Sequence, residues 1–223
     1  MPDIGKKIKD VVTALPEGVK LVAVSKFHPV SSLKEAYEAG QRIFGESRVQ
    51  ELMQKCGEMP ADVEWHFIGH LQTNKVRQVV PLVSLIHSAD SLKLLKCLND
   101  EAKRIGKVVN VLLQLHVAQE ETKYGFACDE CVEMAEAGVF AELENVCVCG
   151  VMGMATNTDD DDAVRDEFKA IKAVYDRLKQ GVMAENTYFT EVSMGMSDDY
   201  GIAIEEGSTL VRIGSSIFGE RSY

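Results

Sequence analysis

The sequence predicts an α/β fold, a single-domain (β/α)8 TIM-type barrel with one extra helix at its N-terminus. Short apolar runs alternate with amphipathic stretches almost from end to end, and eight such runs can be counted. Alternating βα units call for a parallel sheet, and eight of them in a chain of 223 residues suit closure into a barrel. An open doubly wound sheet would be expected to carry a glycine-rich turn after its first strand, where this chain has Lys26-Phe27-His28-Pro29. No linker, low-complexity tract or long-period repeat divides residues 1–223, so one domain is expected.

Asp3 to Leu15 carries Ile4, Ile8, Val11, Val12 and Leu15 at helical spacing. The first strand, Lys20 to Ser25, is an apolar run rich in Val and bounded by Gly18 and Pro29, which reads as buried on both faces. Ser31 or Ser32 is expected to cap a helix that Gly40 stops. Arg42–Gly45, Glu64–Ile68, Val83–His87 and Val108–His116 read as strands two to five. Between them lie helices at Val49–Lys55, Asn74–Val80 and Ser91–Ile105. A helix from Asp129 to Ala137 leads to strand six, Val146–Val151. The longest helix runs from Asp160 to Gln180 and turns Val164, Phe168, Ile171, Val174, Tyr175 and Leu178 inward. Asp159-Asp160-Asp161-Asp162 before it reads as a first turn favoured by the helix dipole rather than as a metal site. Tyr188–Val192 is strand seven, Asp199–Glu205 a short helix, Thr209–Ile213 strand eight and Ile217–Gly219 a final turn.

Hydrophobic residues make up 46% of the chain and charged residues 26%, which is ordinary for a globular domain. A formal net charge of −11 argues against a general nucleic-acid binder. It leaves room for a small anionic ligand in a locally positive pocket. No apolar run approaches the roughly 18 residues of a membrane span, and the N-terminal segment lacks the pattern of a secretory signal. A cytoplasmic protein with reduced thiols is expected. Cys128-Asp129-Glu130-Cys131 has redox or zinc spacing without a second ligand pair, and Cys147 and Cys149 read as small hydrophobes in a strand, so no metal is assigned.

The candidate chemistry lies at the C-terminal ends of the strands, where barrels carry their active loops. Side chains alternate along a strand, so Val22, Val24 and Lys26 share a face. If that face is inward, an amine sits above hydrocarbon, which favours its neutral form and its attack on a carbonyl. After strand seven stands Ser193-Met194-Gly195-Met196-Ser197, and after strand eight Gly214-Ser215-Ser216 opens onto a helical turn. Both can offer N–H groups and hydroxyls to a phosphate. Arg212 shares a strand face with Gly214, and closure makes strand eight the neighbour of strand one. An amine for an aldehyde, a fork of donors for an aromatic nitrogen and a cradle for phosphate together describe pyridoxal 5'-phosphate, PLP.

Several segments carry a resemblance across nearly the whole chain. They are Ala23-Val24-Ser25-Lys26, Phe44-Gly45-Glu46-Ser47-Arg48-Val49-Gln50-Glu51, Trp65-His66-Phe67-Ile68-Gly69-His70-Leu71-Gln72 and Lys123-Tyr124-Gly125. To these add Ser193-Met194-Gly195-Met196-Ser197-Asp198-Asp199 and Arg212-Ile213-Gly214-Ser215-Ser216-Ile217-Phe218-Gly219. Together they resemble the pyridoxal phosphate homeostasis proteins, a barrel family similar to the N-terminal domain of bacterial alanine racemase. The resemblance implies that Lys26 carries PLP as an aldimine, that Ser193, Gly214 and Ser215 bind its phosphate, and that Arg212 faces the pyridine nitrogen. It implies a monomer that holds the cofactor and hands it to PLP-dependent apo-enzymes, with no nucleic acid or membrane as partner. Ser47 and His70 stand where many members have Asn and Pro. The His70 change is expected to be tolerated in a loop, and Lys123 reads as a solvated loop lysine rather than a second cofactor site.

An arginine opposite the ring nitrogen should leave it unprotonated and the ring a poorer electron sink. A racemase also needs a second acid/base group. In the racemases that this barrel resembles it comes from an additional β domain, which is not expected here because the chain ends soon after strand eight. Tyr124 could be nominated, but packing or a surface position suits it better. A PLP binder without robust catalysis is therefore expected. The rivals are a racemase of small amino acids, a lysine Schiff-base aldolase and a pure scaffold.

Overall fold

The computed structural model describes residues 3–118 and 124–219. Eight strands close into one parallel barrel in chain order: β1 (Lys20–Val24), β2 (Ile43–Glu46), β3 (Glu64–Phe67), β4 (Leu85–Ala89), β5 (Val109–Gln114), β6 (Val146–Met152), β7 (Glu191–Ser193) and β8 (Leu210–Ile213). Closure pairs Val22 of β1 with Arg212 of β8. Outside the ring lie α1 (Ile4–Ala14), α2 (Val30–Glu38), α3 (Val49–Glu58), α4 (Val76–Val79), α5 (Leu92–Arg104), α6 (Cys128–Glu136), α7 (Asp161–Gln180), α8 (Tyr200–Glu205) and α9 (Ser215–Phe218).

Period-two alternation divides the core into two layers. Leu21, Ala23, Phe44, Trp65, Phe67, Val211 and Ile213 point outward into the main apolar layer beneath the helices. Val22, Leu85, Leu112, Cys149, Met152 and Leu210 fill the inside of the ring as a separate cluster. On α7, Val164, Phe168, Ile171, Val174 and Leu178 are buried as the sequence predicts, while Tyr175 is half-buried and stacks on Phe189 with ring centroids 5.0 Å apart. Asp160 caps that helix, its carboxylate accepting from the N–H groups of Asp162 and Ala163. Cys147 and Cys149 lie 3.8 Å apart, Sγ to Sγ. Burial and the neighbouring Cys147 push the Cys149 thiol up to about 12. Burial likewise pushes Cys131 up to about 12.

Three local expectations are corrected. The N-cap of α2 is Pro29, with Ser31 and Ser32 already inside the first turn, because the chain leaves Lys26 in a tight turn that enters the helix early. Strand four begins at Leu85, and its small residues Ser88 and Ala89, unremarkable in composition, extend the strand instead. Strand seven begins only at Glu191: the Asn186 side chain accepts the Tyr188 N–H and donates to the Val148 carbonyl, holding 186–189 as a turn. No helix among the described residues is long and apolar enough to cross a membrane.

Candidate functional site

The strands aim one cavity of about 470 Å³ at their C-terminal ends, and Lys26, Arg212, Gly214 and Ser215 all line it. Val22 belongs to the cluster inside the ring and Val24 lines the cavity wall, so the face shared by Val22, Val24 and Lys26 does point inward. Lys26 lies just past β1, in a turn whose next residue, Phe27, has φ 69°. A left-handed conformation is costly for an aromatic residue and persists only where its surroundings hold it. Here they do. Glu51 accepts the Phe27 N–H at 2.8 Å, and the Arg48 guanidinium lies 4.3 Å from the centroid of the Phe27 ring.

Behind that turn sits a buried charge cluster. Lys55 Nζ donates to the Ser25 carbonyl at 2.9 Å, to Glu46 Oε1 at 2.7 Å and to Glu51 Oε2 at 2.9 Å. Ser25 Oγ donates to the same Glu46 oxygen at 2.6 Å. The backbone on both sides of Lys26 is thereby tied to one ammonium and two carboxylates. Glu46 Oε2 is buried with no hydrogen-bond partner among the described residues, and burial raises the Glu46 carboxyl above its ordinary range despite Lys55 and Ser25. Burial also pushes Glu51 up, but hydrogen bonds from Lys55 and the Phe27 N–H, with the charges of Lys55 and Arg48, outweigh it and hold Glu51 low. The sequence reading missed this cluster. The spacing of Glu51 and Lys55, four apart on a helix, was its only local sign.

On the opposite side of the seam, Gly214 closes against β1. A Cβ there would lie 3.1 Å from the Val24 carbonyl oxygen, so a glycine lets the two backbones approach. Its N–H donates to Ser197 Oγ at 3.3 Å. The first N–H groups of α9, which include that of Ser215, have no acceptor within the helix. Ser197 and Asp198 also line the cavity.

Ser193 is placed differently from the other predicted residues. It is fully buried and does not line the cavity. Arg212 Nη1 donates to Ser193 Oγ at 2.6 Å, and Nη2 to the Gly153 carbonyl at 3.0 Å. Ser193 Oγ is also 2.9 Å from His87 Nδ1, and His87 Nε2 is 2.9 Å from His66 Nδ1. Burial, then His66 and Arg212, drive His87 well below the ordinary imidazole range. Burial, with the Lys20 charge, takes His66 to about 3. Both rings are therefore neutral at pH 7, and each carries its one proton on one of its two nitrogens. Arg212 can only donate, so Ser193 Oγ accepts from it and links it to the two histidines in one hydrogen-bonded chain between the mouth and the base of the barrel. Burial brings Arg212 itself down to about 10, opposed by Asp199, which leaves a cation at neutral pH beneath the cavity.

The rim carries a second set of residues. Ser47, Gly69, His70 and Tyr124 line the cavity. A Cβ on Gly69 would lie 2.5 Å from the Ser47 carbonyl oxygen, so the loops after β2 and β3 touch there. Tyr124 is indeed largely exposed, but it also stacks on His70. Lys123 lies outside the described residues.

With this geometry in view, the comparisons with known proteins are consistent from one to the next. The family model described as alanine racemase, N-terminal domain, matches residues 3–222. A pyridoxal phosphate homeostasis protein of Vibrio alginolyticus is 39% identical over 213 residues, covering 93% of this chain and 89% of that protein. One from Aquifex aeolicus is 40% identical over 205 residues, covering 92% and 88%. This chain belongs to the pyridoxal phosphate homeostasis protein family. Among solved structures of the family's kind, PipY of Synechococcus elongatus without PLP superposes with a TM-score of 0.90 at 34% identity, covering 97% of this chain and all of that one. PipY with PLP bound gives 0.86 at 35% identity and 97% coverage. Alanine racemase of Clostridium difficile shares the fold, with a TM-score of 0.78 at 16% identity, and this chain spans 57% of its length.

Proposed function

We propose that this chain binds pyridoxal 5'-phosphate, holds it covalently on Lys26 as an aldimine, and serves as an intracellular carrier of the cofactor rather than as an enzyme of high turnover. The observation that carries the reading is convergence. Lys26, Arg212, Gly214 and Ser215, 186 or more residues apart in sequence between the first and the rest, line the same cavity in a family one of whose solved members has PLP bound.

The residues fit the group chemically. Gly214 supplies a backbone that a Cβ would crowd, and Ser197, Ser215 and the open N–H groups of α9 supply donors for a phosphate. Lys26 is presented on a turn that the Glu46–Lys55–Glu51 cluster keeps from relaxing. Arg212, held by Ser193 and the Gly153 carbonyl, offers N–H donors and positive charge to the pyridine nitrogen. When bound, PLP supplies an electrophilic carbonyl carbon and an electron-accepting ring. A permanent cation beneath the ring disfavours a proton on its nitrogen, which weakens that electron sink and suits storage over carbanion chemistry. Ser193 then acts through Arg212, by fixing the guanidinium plane, instead of touching the phosphate. Transfer to PLP-dependent apo-enzymes remains part of the proposal.

The test is borohydride reduction of the PLP-loaded protein followed by peptide mass mapping. The expected result is one reduced adduct on the peptide that contains Lys26, absent from Lys26→Ala. An adduct on another lysine, or a Lys26→Ala protein that keeps a covalent chromophore, overturns the assignment. Incubating the loaded protein with L-alanine or L-serine should yield no rapid appearance of the opposite enantiomer, which separates a carrier from a racemase.

A further inference from the structure

The loop after β3 contains an imidazole whose plane and tautomer are both set. His70 Nδ1 lies 2.8 Å from Asp90 Oδ2, and the Asp90 side chain is only 6% exposed. The second oxygen of that carboxylate accepts from Ser91 Oγ at 3.1 Å. A carboxylate accepts and cannot donate, so Nδ1 carries a proton, and in the neutral ring Nε2 then presents its lone pair. The Tyr124 ring stacks on the imidazole at 3.7 Å and 13°, and the Tyr124 carbonyl is itself held by Gln114 Nε2 at 2.8 Å. The loop is pinned from below as well, since Ser88 Oγ donates to the Gly69 carbonyl at 2.5 Å. Nε2 makes no hydrogen bond to any described residue, and His70 lines the same cavity as Lys26. A carboxylate that orients an imidazole from behind, with the far nitrogen left to accept a proton, is the arrangement of a general base. Here it stands where the resemblance led us to expect a tolerated loop change.

We propose that His70, oriented by Asp90, is the proton-transfer residue through which an incoming primary amine displaces Lys26 from the cofactor. The inference rests on the reading of Lys26 given above and adds the step by which the cargo leaves. An amino acid or a protein lysine arrives as an ammonium and is not nucleophilic until it loses a proton. His70 Nε2 accepts that proton. The neutral amine then forms a bond to the carbon that Lys26 holds, the bond from that carbon to Lys26 breaks, and the proton on His70 passes to the departing lysine nitrogen. One carbon–nitrogen double bond is lost and one gained, and the incoming nitrogen gives up three protons while the Lys26 nitrogen gains three. One of these is carried by His70 and two pass between the nitrogens while both are bonded to the carbon, so no oxidant or reductant is needed. The substrate class is primary amines, and the imidazole affects how fast they exchange rather than how tightly the cofactor sits.

The experiment follows the chromophore of PLP-loaded protein after adding L-alanine, an ammonium at pH 7, or methoxyamine, which is already neutral there. His70→Ala should exchange with alanine about 10²-fold more slowly, the lower end of what a positioned acid/base group contributes, with a much smaller loss toward methoxyamine. Free imidazole should restore part of the alanine rate, and Asp90→Asn should lie between the variant and the parent. Binding of pyridoxine 5'-phosphate, which lacks the aldehyde, should be unchanged in both variants. Independently of any loaded protein, long-range ¹H–¹⁵N correlation spectra of the unloaded chain should show the His70 proton on Nδ1. Parental alanine exchange in His70→Ala, equal slowing toward both amines without imidazole rescue, or a proton found on Nε2 each overturns the proposal. Failure of the underlying reading looks different, because borohydride would then leave Lys26 unmodified in the parent protein.

Discussion

The barrel has a cavity at each end of its axis, and the two are nearly equal in size, about 470 Å³ at the mouth and about 430 Å³ at the base. Each is lined by a lysine of β1 or its extension. At the base, Lys20 is answered by Glu191 at 2.7 Å, and Glu191 in turn accepts from Thr209 Oγ1 at 2.7 Å. At the mouth, Glu46 and Glu51 serve the lysine that lines the cavity indirectly. They are buried behind it, on Lys55, and they shape the turn that carries Lys26. Volume and residue type are thus similar at the two ends, and what separates them is what the acids hold. At the base an acid pairs across the ring with the strand-start lysine itself, whereas behind the mouth two acids and Lys55 hold the turn that carries Lys26.

Removing the buried countercharge should have the largest effect. Lys55→Met leaves the buried Glu46 and the half-buried Glu51 without their cation, a change that typically costs about 3–5 kcal/mol for a buried pair, read as a lower denaturant midpoint. The turn at Phe27 should relax with it, and the reduced adduct on Lys26 should fall by a larger factor than the affinity for pyridoxine 5'-phosphate.

The histidine chain that joins the two ends gives the next effect, in pH. Unfolded His66 binds a proton near pH 6.5, while the folded ring, desolvated and close to Lys20, binds one only near pH 3. Between those values the unfolded chain holds a proton that the folded chain lacks, so stability falls as pH drops from about 6.5 towards 3 and levels off below. The slope is about 1.4 kcal/mol per pH unit for each such histidine, and His87 acts in the same direction. His66→Asn keeps a hydrogen-bonding side chain opposite His87 Nε2 but removes one titrating group. It should flatten the acid limb of a pH series of urea midpoints by that amount, and an unchanged limb would show that the His66 ring is charged in the fold.

Ser193→Ala should come third. It leaves one Arg212 N–H and the His87 Nδ1 without their shared partner, a loss of about 1–3 kcal/mol. Because the guanidinium is then free to tilt, the absorbance maximum of the bound cofactor should also move, while Ser193→Thr restores it. The smallest effect belongs to the base. Lys20→Met breaks an ion pair whose lysine is 54% exposed, so stability should change by no more than about 1 kcal/mol and the Lys26 adduct should persist.

Much of the fold was legible because it rests on local periodicity. The alternation of Val22, Val24 and Lys26, the shared face of Arg212 and Gly214, and the acidic first turn of α7 are all near-neighbour relations, and each appears where the pattern placed it. Strand ends were read less well, since Ser88 and Ala89 extend β4 through backbone pairing that composition does not report. Ser193 shows the limit for a site residue. The sequence put it in the loop after strand seven among the phosphate-binding residues, whereas it is the last residue of β7 and lies fully buried below the rim.

What the chain by itself determined is the set of directions: eight strands, their inward faces, and which of those faces end in an amine, a guanidinium or a glycine. Local sterics and burial act over a few residues, so a linear reading captures them. Depth and partnership came only with closure. Ser193 meets His87 across 106 positions, Ser25 meets Glu46 across 21 and His70 meets Asp90 across 20. No period in the sequence encodes those meetings, because each depends on how far a neighbouring strand is staggered along the barrel axis, and that stagger is a property of the whole ring.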